Sequence, residues 1–244
     1  MQHEQFAIPT ADGLCPSHLF SLGDGTPRPA VIFYMDAGGI RPGLLAMAER
    51  LAQAGYVVLV PDLFYRFGPY GPLVPAEVFA GDFRAILGPM VATTGNAVAA
   101  ADTEAFLAFL ASRSDVLGSR HGAVGFCMGG GMAITAAGRW PDRFAAAVSF
   151  HGGNVATDAP DSPHLLAPAI QAELHIGAAH KDGSYPPAMA ERFEQALTAA
   201  NVRFTARTYP AMHGWMMPDF PVYDAAAAED GWRTMLDLFG RTLG

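Results

Sequence analysis

The chain has 244 residues, 51% of them hydrophobic and 16% charged, which is enough to bury a substantial core in one large domain. A formal charge of −8 without any Lys/Arg cluster excludes nucleic acid or an anionic membrane surface as the main partner and directs attention to small molecules. Two cysteines, Cys15 and Cys127, exclude a disulfide framework and are too few for a thiolate-based zinc centre.

The start, Met1 to Phe6, has no basic segment followed by an apolar one, and no later apolar run reaches membrane-spanning length, so a cytoplasmic protein is expected. Phe6 to Ile8 and His18 to Phe20, placed around Asp12-Gly13, read as an antiparallel hairpin at a sheet edge. Apolar runs then follow at 30–34, 56–60, 122–125, 145–150, 172–176 and 202–208. Helical patterns fall between and after them, near 42–54, 97–113, 128–139, 186–200 and 223–241. Short apolar runs alternating with helices predict an α/β class, with a mostly parallel central sheet, helices on both faces and the antiparallel hairpin at the N-terminus. The segment 67–75, rich in Pro and Gly, is either an ordered loop over a pocket or a plain connector. No repeat, low-complexity tract or charged linker divides the chain, and 1–244 reads as a single domain.

Gly125-Phe126-Cys127-Met128-Gly129 sets a thiol in a G-x-nucleophile-x-G turn between an apolar run and a helix of small residues. A strand-to-helix turn this sharp needs neighbours without side chains, and the N–H groups that open the helix favour a thiolate. A free cysteine is elsewhere most often a small buried hydrophobe; the glycine spacing and two later segments favour a nucleophile. Such a nucleophile needs a base, and the base an orienting acid, and in α/β-hydrolase folds these follow in the order nucleophile, acid, histidine. Asp182 lies in the loop after the run at 172–176, and His213 follows the run at 202–208. Asp182 has a second reading as a cap for the helix behind it, and His180 is a weaker competitor in the same loop. The run ending at Tyr34 leads into Met35-Asp36-Ala37-Gly38-Gly39. The amides of Ala37 and Met128 are therefore the candidate oxyanion hole. Asp36 either pairs with Cys127 or closes its own turn through an Asx bond. His151, at the end of the run 145–150, lines the pocket or bonds to backbone, and Asp62 and Asp142 read as turn residues.

With these residues in place, the chain resembles the dienelactone hydrolase family from about Pro29 onward. The resemblance rests on 35–39, Pro61-Asp62-Leu63-Phe64-Tyr65, Gly125 to Gly130, Ser149-Phe150-His151-Gly152-Gly153, the segment 182–187, Tyr209-Pro210 and His213-Gly214. It implies a triad of Cys127, Asp182 and His213 and no metal or cofactor. Familiar members carry a glutamate at the position of Asp36, where it helps activate the thiol, and an arginine four residues after the histidine that holds a substrate carboxylate. Here that second position is Met217. A thioether cannot stand in for a guanidinium clamp. Together with Trp215, Met216, Tyr65, Phe67 and Tyr70, this predicts an apolar pocket.

The expected function is hydrolysis of a carboxylic ester, lactone or thioester through a cysteine acyl-enzyme, by a monomer or homodimer. A non-catalytic module that binds or senses a small molecule in the same cleft is the alternative. A dinucleotide site fails on spacing, because Gly125 to Gly131 does not match G-x-G-x-x-G and follows a late strand.

Overall fold

The structure is a computed structural model that describes residues 1–243. Strands β1 (Gln2–Thr10) and β2 (Gly13–Ser21) form the hairpin. They are followed by β3 (Ala30–Tyr34), α1 (Pro42–Gln53), β4 (Val57–Pro61), α2 (Pro75–Ala80), α3 (Phe83–Val91) and α4 (Asn96–Ala111). The second half runs β5 (His121–Phe126), α5 (Met128–Arg139), β6 (Phe144–Phe150), β7 (Glu173–Ala179), α6 (Pro187–Ala199), β8 (Phe204–Tyr209) and α7 (Ala225–Thr242). The eight strands make one sheet in the order β1-β2-β4-β3-β5-β6-β7-β8. Only β1 with β2 and β2 with β4 pair antiparallel; the other neighbours are parallel. This is the mostly parallel sheet with an N-terminal antiparallel hairpin that the alternating pattern predicts, and the α/β-hydrolase architecture that the family resemblance implies, with helices packed around the sheet.

Burial explains why the central strands read as unbroken apolar runs. Every residue of β3, β4 and β5 is buried, as parallel strands covered on both faces require. Hairpin strand β1, at the edge, keeps most of its side chains in contact with solvent. Among the helices, α1 and α7 bury one stripe each, Leu44, Met47, Ala48 and Leu51 in the first and Trp232, Met235, Leu238 and Phe239 in the second. Helix α5 is buried almost all round, which its small residues allow.

Helices α2 and α3 are absent from the sequence expectation. They are six and nine residues long, mostly exposed, and α3 contains Pro89, so neither shows a sustained 3.6-residue period. Asp82 between them caps α3 by accepting from the N–H groups of Arg84 and Ala85, both at 3.1 Å. No helix among the described residues is long and apolar enough to cross a membrane. Because β3, β5, β6, β7 and β8 are parallel neighbours, the loops leaving their carboxyl ends gather along one edge of the sheet.

Candidate active site

Cys127 stands between β5 and α5 with φ 55° and ψ −120°, a left-handed backbone that a non-glycine side chain holds only at a cost of about 1–3 kcal/mol. Close approach dictates the glycines around it. A Cβ on Gly125 would overlap the carbonyl of Gly129, and one on Gly129 would overlap the carbonyl of Tyr34. Met128 is the first residue of α5, so its N–H belongs to the helix turn that has no internal acceptor.

The Cys127 amide donates to the Phe150 carbonyl and to Nδ1 of His151, each at 3.1 Å. His151 is fully buried, has φ 40°, and donates its own N–H to the Gly177 carbonyl at 2.7 Å. Nδ1 accepts, so the ring is neutral with its proton on Nε2, and that atom has no partner among the described residues. Burial, with the charge of neighbouring His213, holds His151 well below the ordinary imidazole range.

His213 follows β8 and Asp182 follows β7, and His213 Nδ1 lies 2.7 Å from Asp182 Oδ2. The other carboxylate oxygen accepts from the Ser184 N–H at 2.8 Å and the Ser184 hydroxyl at 2.6 Å. Asp182 thus closes an Asx turn and holds the histidine at once; helix α6 takes no side-chain cap. Burial raises the Asp182 carboxyl, but the bonds from His213 and Ser184 prevail and bring it down to about 2. Burial likewise opposes the His213 cation, while Asp182 and the adjacent Cys127 favour it more strongly and push it up to about 10. His180 is exposed, bonds through its amide to the Ala211 carbonyl and stays out of this arrangement.

Asp36 bonds within its own turn and to Arg41. Its Oδ1 accepts from the Gly38 N–H at 2.5 Å and from Arg41 Nη1 at 3.0 Å. Oδ2 lies 2.9 Å from Arg41 Nη2, although off its N–H direction. The same guanidinium reaches Asp219 through Nε at 2.7 Å and Nη2 at 3.1 Å and lies over the Phe220 ring. Asp36 and Arg41 are both completely enclosed. Burial pushes the Asp36 carboxyl up, and the guanidinium draws it part of the way back. This places Asp36 in the Asx turn of the two sequence readings, with an ion pair added.

A cavity of about 170 Å³ opens beside the thiol. Asp36, Ala37, Gly38, Cys127 and His213 form its reactive side, while Leu73, Pro75, Val78, Phe79, Phe83, Leu87 and Phe220 form an apolar wall. The pocket is apolar as expected, but its wall consists of different residues. Trp215 and Met217 are fully buried and absent from the lining; Trp215 packs against Tyr209, Phe150 and His151. Tyr65 is turned toward Thr10 and Asp102, with its hydroxyl 2.7 Å and 3.2 Å from them, because Arg66 and Asp102 build an ion pair on that side. Tyr70 serves the site indirectly, donating to Asp62 at 2.8 Å and accepting from the Ile40 N–H at 3.0 Å. The Pro/Gly-rich segment does pass over the pocket, contributing Leu73 and Pro75.

Sequence reading missed α2, α3 and the Asp36-Arg41-Asp219 bridge. The apolar residues Val78, Phe79 and Phe83, close together in the chain, were the available signal for the wall. Nothing in the sequence links Arg41 to a partner 178 residues away. A larger, open depression of about 510 Å³ near the hairpin is lined by no cysteine or histidine, and its charged groups are mutually paired as Arg28 with Asp24 and Arg113 with Asp115.

Comparison with known proteins places this geometry in context. The model of the dienelactone hydrolase family matches residues 19–243. A provisionally named carboxymethylenebutenolidase of Escherichia coli (strain K12) is 32% identical over 217 residues, covering 87% of this chain and 77% of that one. The carboxymethylenebutenolidase of Rhodococcus opacus is 26% identical over 239 residues, covering 93% and 86%. The crystal structure of a provisionally named dienelactone hydrolase from Klebsiella pneumoniae subsp. pneumoniae superposes with a TM-score of 0.85 at 26% identity, covering 98% of each chain. On the span of the family match, the shared fold and these relatives, the chain belongs to the dienelactone hydrolase family.

Proposed function

We propose that the protein is a hydrolase of carboxylic esters, lactones or thioesters that works through an acyl-enzyme on Cys127. One observation carries the reading: the thiol stands on a strained elbow at the end of an apolar cavity, beside a histidine whose far nitrogen is 2.7 Å from a carboxylate. The Cys127 thiolate attacks the carbonyl carbon, and the N–H groups of Ala37 and Met128 receive the oxyanion. The tetrahedral adduct collapses as His213, protonated and oriented by Asp182, gives its proton to the leaving oxygen, or to the leaving sulfur of a thioester. Neutral His213 then takes a proton from water, which attacks the thioester; collapse releases the acid and returns the thiolate and imidazolium. The elevated basicity of His213 fits this cycle, because the acid needed for the first step is present at neutral pH.

The test is steady-state and burst-phase hydrolysis of p-nitrophenyl esters, thioesters and lactones by the wild type, by Cys127→Ala and after thiol alkylation. Steady turnover abolished in both controls is expected. Full activity in Cys127→Ala overturns the mechanism, and a stoichiometric burst followed by silence favours a binder or sensor instead.

A further inference from the structure

The cavity beside Cys127 carries information about the substrate beyond the reaction type. Its volume of about 170 Å³ is close to that of an apolar protein cavity of about 150 Å³ that takes up benzene. The wall opposite the thiol is Leu73, Val78, Phe79, Leu87 and Phe220, with no basic side chain among the lining residues other than His213. Phe79 and Phe83 are each 44% exposed while also lining the cavity, so its rim is apolar and open to solvent.

The charges nearby are already committed. Arg41 is 1% exposed and divides its guanidinium between Asp36, Asp219 and the Gly39 carbonyl, so two carboxylates and a carbonyl saturate one cation. The His213 cation is held by Asp182 and is required at the leaving group. Arg84 lies over the Phe83 ring at 5.8 Å, exposed on the outer surface and outside the lining. A substrate carboxylate entering this cavity would therefore lose its water without gaining a partner, and an unpaired buried charge is strongly disfavoured. An uncharged apolar group loses nothing there and removes its own surface from water.

We propose that the substrate is an uncharged ester carrying an apolar group of about benzene size, seated between α2, α3 and Phe220 beside the thiol, and that esters carrying a carboxylate at that position are rejected. This rests on the hydrolase reading above for the word ester; the pocket preference itself does not depend on turnover.

The experiment separates the two. Chloroacetamides alkylate a thiolate by displacement, with sulfur attacking the CH2 carbon and chloride leaving. Alkylation rates of the native protein are measured with N-benzyl-2-chloroacetamide, 2-chloroacetamide and N-chloroacetylglycine, each divided by its rate with glutathione. Cys15 does not compete, being fully buried with its thiol pushed up to about 12 by that burial, and Cys127→Ala supplies the blank. The expected order is benzyl above unsubstituted above carboxylate, with at least tenfold between the first and last. Leu87→Arg should narrow or reverse that order by supplying the missing cation. Leu87→Ala, a gentler change, should move the optimum toward larger apolar groups. A carboxylate reagent that reacts with the wild type as fast as the benzyl reagent overturns the proposal. In a parallel ester panel, discrimination without turnover would sink the hydrolase reading and support the pocket; turnover without discrimination would sink the pocket alone.

Discussion

The backbone N–H of Cys127 donates to Nδ1 of His151 at 3.1 Å, and both residues hold left-handed φ angles, 55° and 40°. The Cys127 backbone is thus held from behind by a side chain just past the end of the neighbouring strand β6. That contact requires a neutral imidazole, which burial of His151 secures.

Replacing this ring tests whether it positions the elbow. In His151→Phe the Cys127 amide keeps only the Phe150 carbonyl, and stability should fall by about 1–3 kcal/mol with kcat down roughly tenfold. His151→Asn offers an oxygen near the place of Nδ1 and should recover most of kcat. Equal kcat loss in both variants, with KM unchanged, would show that the hydrogen bond is irrelevant. Kinetics alongside urea unfolding decide it.

Asp182→Asn should act through the proton on His213. The aspartate orients the ring and, together with Cys127, outweighs burial to raise its basicity, so the variant should lose roughly 10²–10⁴-fold in kcat and shift the alkaline limb of its pH profile downward by at least one unit. The sign follows from the role: the imidazolium is the acid for the leaving group, and activity fails as it deprotonates. A profile with an unmoved alkaline limb would contradict that assignment.

Removing Arg41 should be far more damaging than its distance from the reacting atoms implies. Arg41→Met leaves Asp36 and Asp219 facing each other without the cation, and breaking a buried pair costs about 3–5 kcal/mol. Because Asp219 follows His213 by six residues, loosened tethering should also raise KM. Urea unfolding with parallel ester kinetics checks both, and a loss under about 1 kcal/mol would show the bridge to be dispensable.

Acid should destabilise the fold beginning near neutrality. Burial brings His121 and His175 down to about 4. Their unfolded forms titrate near about 6.5, so between these values the unfolded chain binds more protons and stability falls with pH, by about 1.4 kcal/mol per unit for each histidine. Both ring nitrogens of His121 are buried without partners among the described residues, and His121→Leu should remove one such contribution. His213 has the opposite sign: its stabilisation is full below about 6.5 and disappears as pH rises toward 10. Denaturation midpoints from pH 4 to 8 for wild type and His121→Leu test the acid side; parallel curves would refute it.

The comparison of sequence with structure turns on which interactions are local. The parallel strands were legible because both faces are covered, so 30–34 and 57–61 had to be apolar throughout. Helix α5 and the elbow were legible because the sharp turn forces Gly125 and Gly129 by contact. Helices α2 and α3 were not, since short, exposed segments with internal proline leave no period to read. For the same reason the apolar wall was sought among Tyr65, Trp215 and Met217, when Val78, Phe79 and Leu87 provide it.

The sequence by itself determined the alternating α/β order, the glycine-flanked thiol and the chain order of Cys127, Asp182 and His213, because each follows from local steric need or strand-by-strand spacing. Tertiary structure alone decided that Asp182 serves Ser184 and His213 together, that His151 grips the Cys127 amide, and that Arg41 joins Asp36 to Asp219. These are pairings between side chains and groups brought together by folding, and a hydrogen bond or ion pair leaves no periodic trace in the chain. What an apolar side chain contributes to a cavity is likewise a matter of direction, which the backbone sets only once it is packed.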